Sequence, residues 1–170
     1  MTNILSLFSI ILFMGKKKIK LPLLFVVIIL IAYAVNSFVG STPSSYREDS
    51  YVTKVVDGDT VVIAGGQRVR LLSIDTRERG ENCYSEAKKR MEELVLLKNI
   101  TLERDKEDKD QYSRLLRYIY VDNMSVNLEM VKDGLAVVYI YEPNVKYRQQ
   151  FMQVETQARQ EGGCVWSKLP

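Results

Sequence analysis

The chain contains no histidine among its 170 residues. That absence removes imidazole metal ligands, a histidine general base and a Ser-His-Asp triad together. Two cysteines are too few for a four-cysteine zinc site. Acidic residues are missing from the N-terminal part: all 21 lie at Glu48 or later, while Lys16, Lys17, Lys18 and Lys20 precede them. The formal net charge of +3 therefore misdescribes the remainder, because from Arg47 onward 20 basic residues face 21 acidic ones, a net of −1. No global positive field surrounds that part, so contact with a polyanion has to come from a local cluster. What stays open is phosphodiester chemistry run by carboxylates, arginines and a hard cation.

One long apolar run is present. Residues 16–20 read KKKIK, and an apolar stretch of 15 residues follows from Leu21 to Val35. This is the order of a basic n-region and an h-region, and Ala32-Tyr33-Ala34 offers a small-x-small cleavage pattern. The run is shorter than the ~20 residues that span a bilayer, although extension to Val39 lengthens it at the cost of Asn36 and Ser37. A cleaved signal peptide and a retained transmembrane anchor both remain open, and Met14 competes with Met1 as the start. In either case the basic side stays in the cytosol and the rest of the chain is extracytoplasmic, membrane-anchored or secreted. Residues 1–38 are thus read as an N-terminal hydrophobic helix acting as signal or anchor. Residues 39–50, rich in Ser, Gly, Pro and Thr, read as a linker, and 51–169 as the folded domain.

Within that domain, YVTKVVDGDTVVI (51–63) reads as two β-like pieces around an Asp-Gly turn. RVRLLSI (68–74) reads as one strand, with Val69, Leu71 and Ser73 on one face and Arg70, Leu72 and Ile74 on the other. Residues 75–82 read as a loop. Ser85–Lys98 is the clearest helix, since Ala87, Met91, Leu94, Val95 and Lys98 follow the 3–4 spacing. Strands are expected at 100–103 and 115–121, with a highly charged loop between them. A short helix over 127–132 is closed by Gly134, a β-prone segment covers 135–141, and a last helix opens at Pro143-Asn144 and stops at Gly162-Gly163. Strands dominate early and no βαβ rhythm appears. The expected architecture is mainly β with α, an antiparallel barrel capped by helices.

Four acidic residues gather around the early strands: Asp57, Asp59, Asp75 and Glu78. Antiparallel pairing can bring Asp59 and Asp75 side by side, and such carboxylates repel unless they share a proton or a cation. An all-oxygen site suits Ca²⁺ or Mg²⁺, with the Thr76 carbonyl as a further ligand. From spacing alone, ordinary turn aspartates are slightly favoured. Arg70 and Arg114 match a phosphate bidentately and would stabilise charge on its oxygens. Tyr139 and Tyr141 share a face of an extended segment and can stack bases, or else fill a barrel wall.

KVVDGDTVVI, VRLLSIDTRE, DQYSRLLRYIYV and VNLEMVKDGLAVVYIYEPN, in that order and followed by Trp166-Ser167, resemble the thermonucleases, the staphylococcal-nuclease-like domains. The resemblance covers nearly all of 51–167. It implies a five-stranded OB-type barrel with three helices, and a monomeric endonuclease acting on DNA and RNA that leaves 3′-phosphate ends. It implies Ca²⁺ held by Asp59, Asp75 and the Thr76 carbonyl, with Asp57 near the metal. Glu78 would orient or deprotonate water, and Arg70 and Arg114 would clamp the scissile phosphate. Tyr112 would contact phosphate, Tyr139 would pack on the base and Tyr141 would lie beside it. A catalytically weak or inactive OB-type nucleic-acid binding module at the membrane is the alternative.

The chain departs from the family pattern at Arg77 and Ser113, and the loop after Glu78 is short, reaching the helix by Ser85. Arg77 replaces a proline, which frees φ in the loop. Ser113 replaces a glycine, which raises the question of a positive φ there. Outside the cytosol, Cys83 and Cys164 invite a disulfide between the loop after the site and the C-terminal tail.

Overall fold

A computed structural model describes residues 46–167 together with Ile29. The described fold lies in the unit Ser45–Pro170; the other unit, Met1–Ser44, falls almost wholly outside the described residues. The hydrophobic helix expected over 1–38 lies outside them too. Among the described residues no helix is long and apolar enough to cross a membrane. The longest helix of the folded unit has 14 residues and only Phe151 and Ala158 fully buried, against the ~20 apolar residues a span requires. The signal-peptide, transmembrane and membrane-partner readings, and the extracytoplasmic placement that depended on them, rest on residues almost wholly outside the described ones; the described residues supply no membrane-spanning helix in their support, and these readings are not carried further.

Among the described residues from Tyr46 to Ser167, eight strands and three α-helices follow one another: β1 (Arg47–Val55), β2 (Thr60–Ile63), β3 (Arg68–Leu71), β4 (Ile74–Thr76), α1 (Tyr84–Val95), β5 (Asn99–Glu103), β6 (Leu115–Val121), β7 (Met124–Ser125), α2 (Val126–Lys132), β8 (Ala136–Val138) and α3 (Arg148–Glu161). Strands β3, β2, β1, β5 and β6 are neighbours in that order, and β3 also pairs with β6. That last pairing is parallel, with Val69 opposite Leu115 and Leu71 opposite Arg117. It closes a five-stranded barrel, and a closed sheet has no exposed edge at the closure. The three helices cap it, as the sequence pattern predicts. Val52, Val61, Val69, Leu102 and Ile119 are fully buried in the core. The apolar stripe of α1 contributes Ala87, Met91, Leu94 and Val95 to the same core.

Several boundaries differ from expectation, each for a local reason. β1 begins at Arg47, inside the stretch read as a linker, because residues Arg47–Tyr51 pair with β5. Helix α1 stops at Val95 rather than Lys98. Leu97 turns back with φ 57, and the Lys98 ammonium donates to the carbonyls of Glu93 and Leu94, which serves the last turn as a cap. The last helix begins at Arg148, not at Pro143-Asn144. Asn144 is 1% exposed, and its Oδ1 accepts the backbone N–H groups of Lys106 and Glu107. That role ties Asn144 to the charged loop.

The largest difference matters most for the site. The strand expected over 68–74 breaks at Leu72-Ser73, where Ser73 has φ 65 and its hydroxyl meets the buried Tyr118 hydroxyl at 3.1 Å. Beyond the break, β4 leaves the barrel and pairs with β8, Asp75 opposite Val137. The corner sends Arg70 and Asp75 to different sheets while keeping them adjacent.

Candidate functional site

The Asp-Gly-Asp turn between β1 and β2 is packed tightly. A Cβ on Gly58 would lie 2.8 Å from Thr76 Cγ2 and 2.9 Å from Ala87 Cβ, so only glycine lets this turn pass beneath β4 and α1. The close approach carries Asp59 to Thr76. Asp59 Oδ2 accepts both the backbone N–H and the hydroxyl of Thr76, each at 2.9 Å. Its Oδ1 accepts the Thr60 hydroxyl at 3.0 Å and faces Arg70 Nε at 3.2 Å. Each carboxylate oxygen thus has two protein partners, close to its capacity.

Arg70 bridges the strand break. Its Nη1 donates to the carbonyls of Leu71 and Ile74 at 2.6 and 2.7 Å, and Nη2 donates to Asp75 Oδ1 at 2.8 Å. One guanidinium therefore bridges Asp59 and Asp75, a single positive charge shared between two carboxylates, and satisfies the carbonyls freed at the corner. Burial pushes the Asp57 carboxyl above its ordinary value, and the nearby Asp59 charge adds to this. Asp75 is also raised, by burial first and by Asp59 in addition, against the opposing pull of Arg70.

The expected Ca²⁺ site is corrected by this geometry. Among the described residues no group of three or more His, Cys, Asp or Glu side chains could hold a metal ion. The physical reason is the donor set. Asp59 is fully engaged, Arg70 stands as the shared counter-charge of Asp59 and Asp75, and Thr76 meets Asp59 through its N–H and hydroxyl. These residues do not fit a resident hard cation, which needs several uncommitted oxygens.

A second cluster lies at the start of β6. Asp110 Oδ1 accepts the backbone N–H groups of Tyr112 and Arg114, and its Oδ2 accepts Arg114 Nε at 2.6 Å. Burial pushes the Asp110 carboxyl up, but the hydrogen bonds from Arg114 and Tyr112 outweigh it and hold the group below its ordinary value. The turn forces Ser113 to φ 61, the left-handed region that glycine would occupy without strain. Arg114 stacks over the Tyr112 ring at 5.4 Å. Among the described residues its two Nη groups have no partner, so the forked end of the guanidinium is open.

A cavity of about 390 Å³ brings Arg70, Arg114, Tyr112, Tyr139 and Tyr141 together. The three tyrosines are 71%, 56% and 55% exposed, which leaves their ring faces available. Asp57, Asp59, Asp75, Thr76 and Glu78 do not line this cavity. Glu78 sits in the exposed loop between β4 and α1, where its backbone N–H is held by Glu81 Oε2. Cys83 and Cys164 are joined, which ties the start of α1 to the C-terminal tail. Sequence reasoning assigned no role to Asp110, Glu107 or Lys109, all of which line the cavity. For Asp110 the signal was available: an aspartate two residues before Tyr112 and four before Arg114 can bond both backbone N–H groups in an Asx-type turn.

Residues 68–168 match the family model described as Staphylococcal nuclease homologue. Endonuclease YncB of Bacillus subtilis (strain 168) is 43% identical over 142 residues, covering 75% of this chain and 67% of its own. The SPbeta prophage-derived endonuclease YokF of the same strain is 44% identical over 131 residues, covering 71% of this chain and 44% of its own. A thermonuclease of Staphylococcus hyicus is 30% identical over 167 residues, covering 89% of this chain and 99% of its own. The chain therefore spans about two thirds of the first of these, less than half of the second and nearly all of the third.

Proposed function

The chain belongs to the staphylococcal nuclease homologue family, and from that premise we propose that its barrel is a nucleic-acid binding module that grips phosphate with Arg114. The open fork of Arg114 carries this reading. It stands in a cavity rimmed by three exposed tyrosines, with Nε anchored by Asp110 and both Nη groups free for bidentate phosphate contact. Tyr139 and Tyr141 offer faces for bases, and Tyr112 lies beside the phosphate path. Because the net charge of the folded part is close to zero, binding depends on this local contact rather than on a long-range field.

Binding of a fluorescent single-stranded oligonucleotide to the full chain tests the reading. Arg114→Ala is expected to weaken binding about tenfold, in line with loss of a charged, bidentate hydrogen-bonding group. Unchanged affinity would remove Arg114 from the interface. Addition of a chelator is expected to leave affinity unchanged, since no residue in this account works through a metal.

Hydrolysis of the bound phosphodiester, endonucleolytic and leaving 3′-phosphate ends, is the second reading. Glu78 favours it: among the described residues its carboxylate has no hydrogen-bond or ion-pair partner and is free to orient water. Arg114 would then take up the charge that develops on the phosphate oxygens, with Arg70 adding only its field from its enclosed place beside Asp59 and Asp75. Digestion of single-stranded and plasmid DNA beside a Glu78→Ala control decides between the two readings. Cleavage lost in the control supports hydrolysis; binding without cleavage leaves the module alone.

A further inference from the structure

Phosphate binding does not use every charge in the cavity. Glu107 is half-buried in its wall, and Lys109 lines it two residues further on. The position of Glu107 is set by the buried Asn144, whose Oδ1 accepts the Glu107 backbone N–H at 2.9 Å. Asn144 Nδ2 also donates to Glu107 Oε2 at 3.3 Å. Among the described residues neither Glu107 nor Lys109 takes part in an ion pair. A carboxylate without a counter-charge repels a polyanion; beyond the Asn144 contact this one keeps acceptor capacity towards the cavity, where a ligand group that donates to it would offset that repulsion.

Bases supply such donors on their Watson–Crick edges, and the four bases differ in number and order. Guanine presents an acceptor, O6, followed by two adjacent donors, N1–H and the N2 amino group. Adenine and cytosine each offer one donor group next to acceptors, and thymine offers one donor between two acceptors. A carboxylate accepts at two oxygens and an ammonium donates. Together they complement guanine and match the other bases only in part.

We infer that Glu107 and Lys109 read an unpaired guanine in the cavity that holds Tyr139 and Tyr141. Glu107 accepts from N1–H and the N2 amino group, and Lys109 donates to O6. The base has to be unpaired because a duplex occupies that edge. The inference rests on the nucleic-acid binding reading of the same cavity and adds the base that it selects.

The test uses the full chain and single-stranded thymine oligonucleotides of roughly nine nucleotides, a length within the range one OB-type barrel covers. The central position carries guanine, hypoxanthine, adenine, cytosine or thymine, and affinity is read by fluorescence anisotropy. Guanine is expected to bind about tenfold tighter than thymine, the scale of one good bidentate base contact. Hypoxanthine, which keeps O6 and N1–H but lacks the amino group, is expected to fall between them. In Glu107→Gln the guanine-to-thymine ratio is expected to drop towards one. This ratio is taken within one protein, so a general change in affinity does not affect it. Equal affinity for all five oligonucleotides would overturn the base reading while leaving phosphate binding intact. A guanine preference that survives in Glu107→Gln would overturn the role of Glu107. No binding to any of them would overturn this inference and the reading beneath it.

Discussion

The two arginines of the site are set in opposite ways. Arg70 is enclosed, with its side chain 14% exposed and its donors directed to two carboxylates and two carbonyls. Among the described residues Arg114 has a single hydrogen-bonding side-chain partner, Asp110, beside the Tyr112 ring it stacks on, and presents its fork to a cavity. The first arrangement is what a strut requires and the second what a ligand-binding group requires. Residue type alone does not separate them, since both are arginines close to aspartates. The count of committed donors does.

Stability measurements give the sharpest way to break this comparison. Arg70→Ala leaves the buried Asp59 carboxylate without its cation and the corner carbonyls without donors. The expected cost is about 3–5 kcal/mol in urea unfolding, the range for removing one partner of a buried ion pair. Arg114→Ala is expected to cost under ~1 kcal/mol, because that pair is more exposed and is screened by solvent. Equal losses would dissolve the distinction between strut and binding group.

The next effect concerns the loop that carries Glu78. It runs from Thr76 to Cys83 and is closed at its far end by the bond to Cys164. Replacing both cysteines by serine is expected to cost about 4 kcal/mol, the chain-entropy value for the covalent loop that the bond closes across a sequence separation of 81. If Arg114 belongs to an independent part of the site, oligonucleotide affinity at a temperature where the variant remains folded should change little. A tenfold loss would show that the two halves are coupled.

Smaller effects sharpen the contrast. Ser113 stands at φ 61 beside Arg114. Ser113→Gly is expected to stabilise the chain by about 1 kcal/mol through relief of left-handed strain, read as a shift in the urea midpoint. Acid titration should separate the halves by sign. Asp57 and Asp75 have raised values in the folded chain. Their ionisation therefore opposes folding, and stability is gained as pH falls through those raised values. Asp110 has a lowered value. Its contribution is present above the ordinary carboxylate value and is lost as pH falls through the depressed one. Carboxyl chemical shifts followed against pH should show Asp57 and Asp75 titrating above the ordinary aspartate value of 3.8 and Asp110 below it.

Much of the fold was legible before any coordinates. The apolar stripe of α1 and the residues that end α2 follow from periodicity and turn chemistry. The motifs around Asp59, Arg70 and Arg114 pointed to the family. Boundaries were less legible where a side chain acts at a distance: Asn144 binds the loop at Lys106 and Glu107, and Lys98 caps the helix it was expected to extend. The break at Ser73 was hidden because RVRLLSI alternates well as one strand. Its positive φ goes with contacts far away in sequence: the Ser73 hydroxyl meets Tyr118 of β6, and its carbonyl accepts the backbone N–H of Tyr139 just after β8.

What the sequence determined by itself is the kind of chemistry: no imidazole, a near-neutral folded part, carboxylates and arginines at set intervals, and a barrel pattern of strands. Tertiary structure decided which of those charges are used up in holding the fold and which remain open to a ligand. Hydrogen-bond capacity is a property of the folded arrangement, because partners such as Thr76 for Asp59 or the Ile74 carbonyl for Arg70 come into place only when the strands close. Spacing can bring two aspartates together, but only the packed corner shows that Arg70 already stands between them.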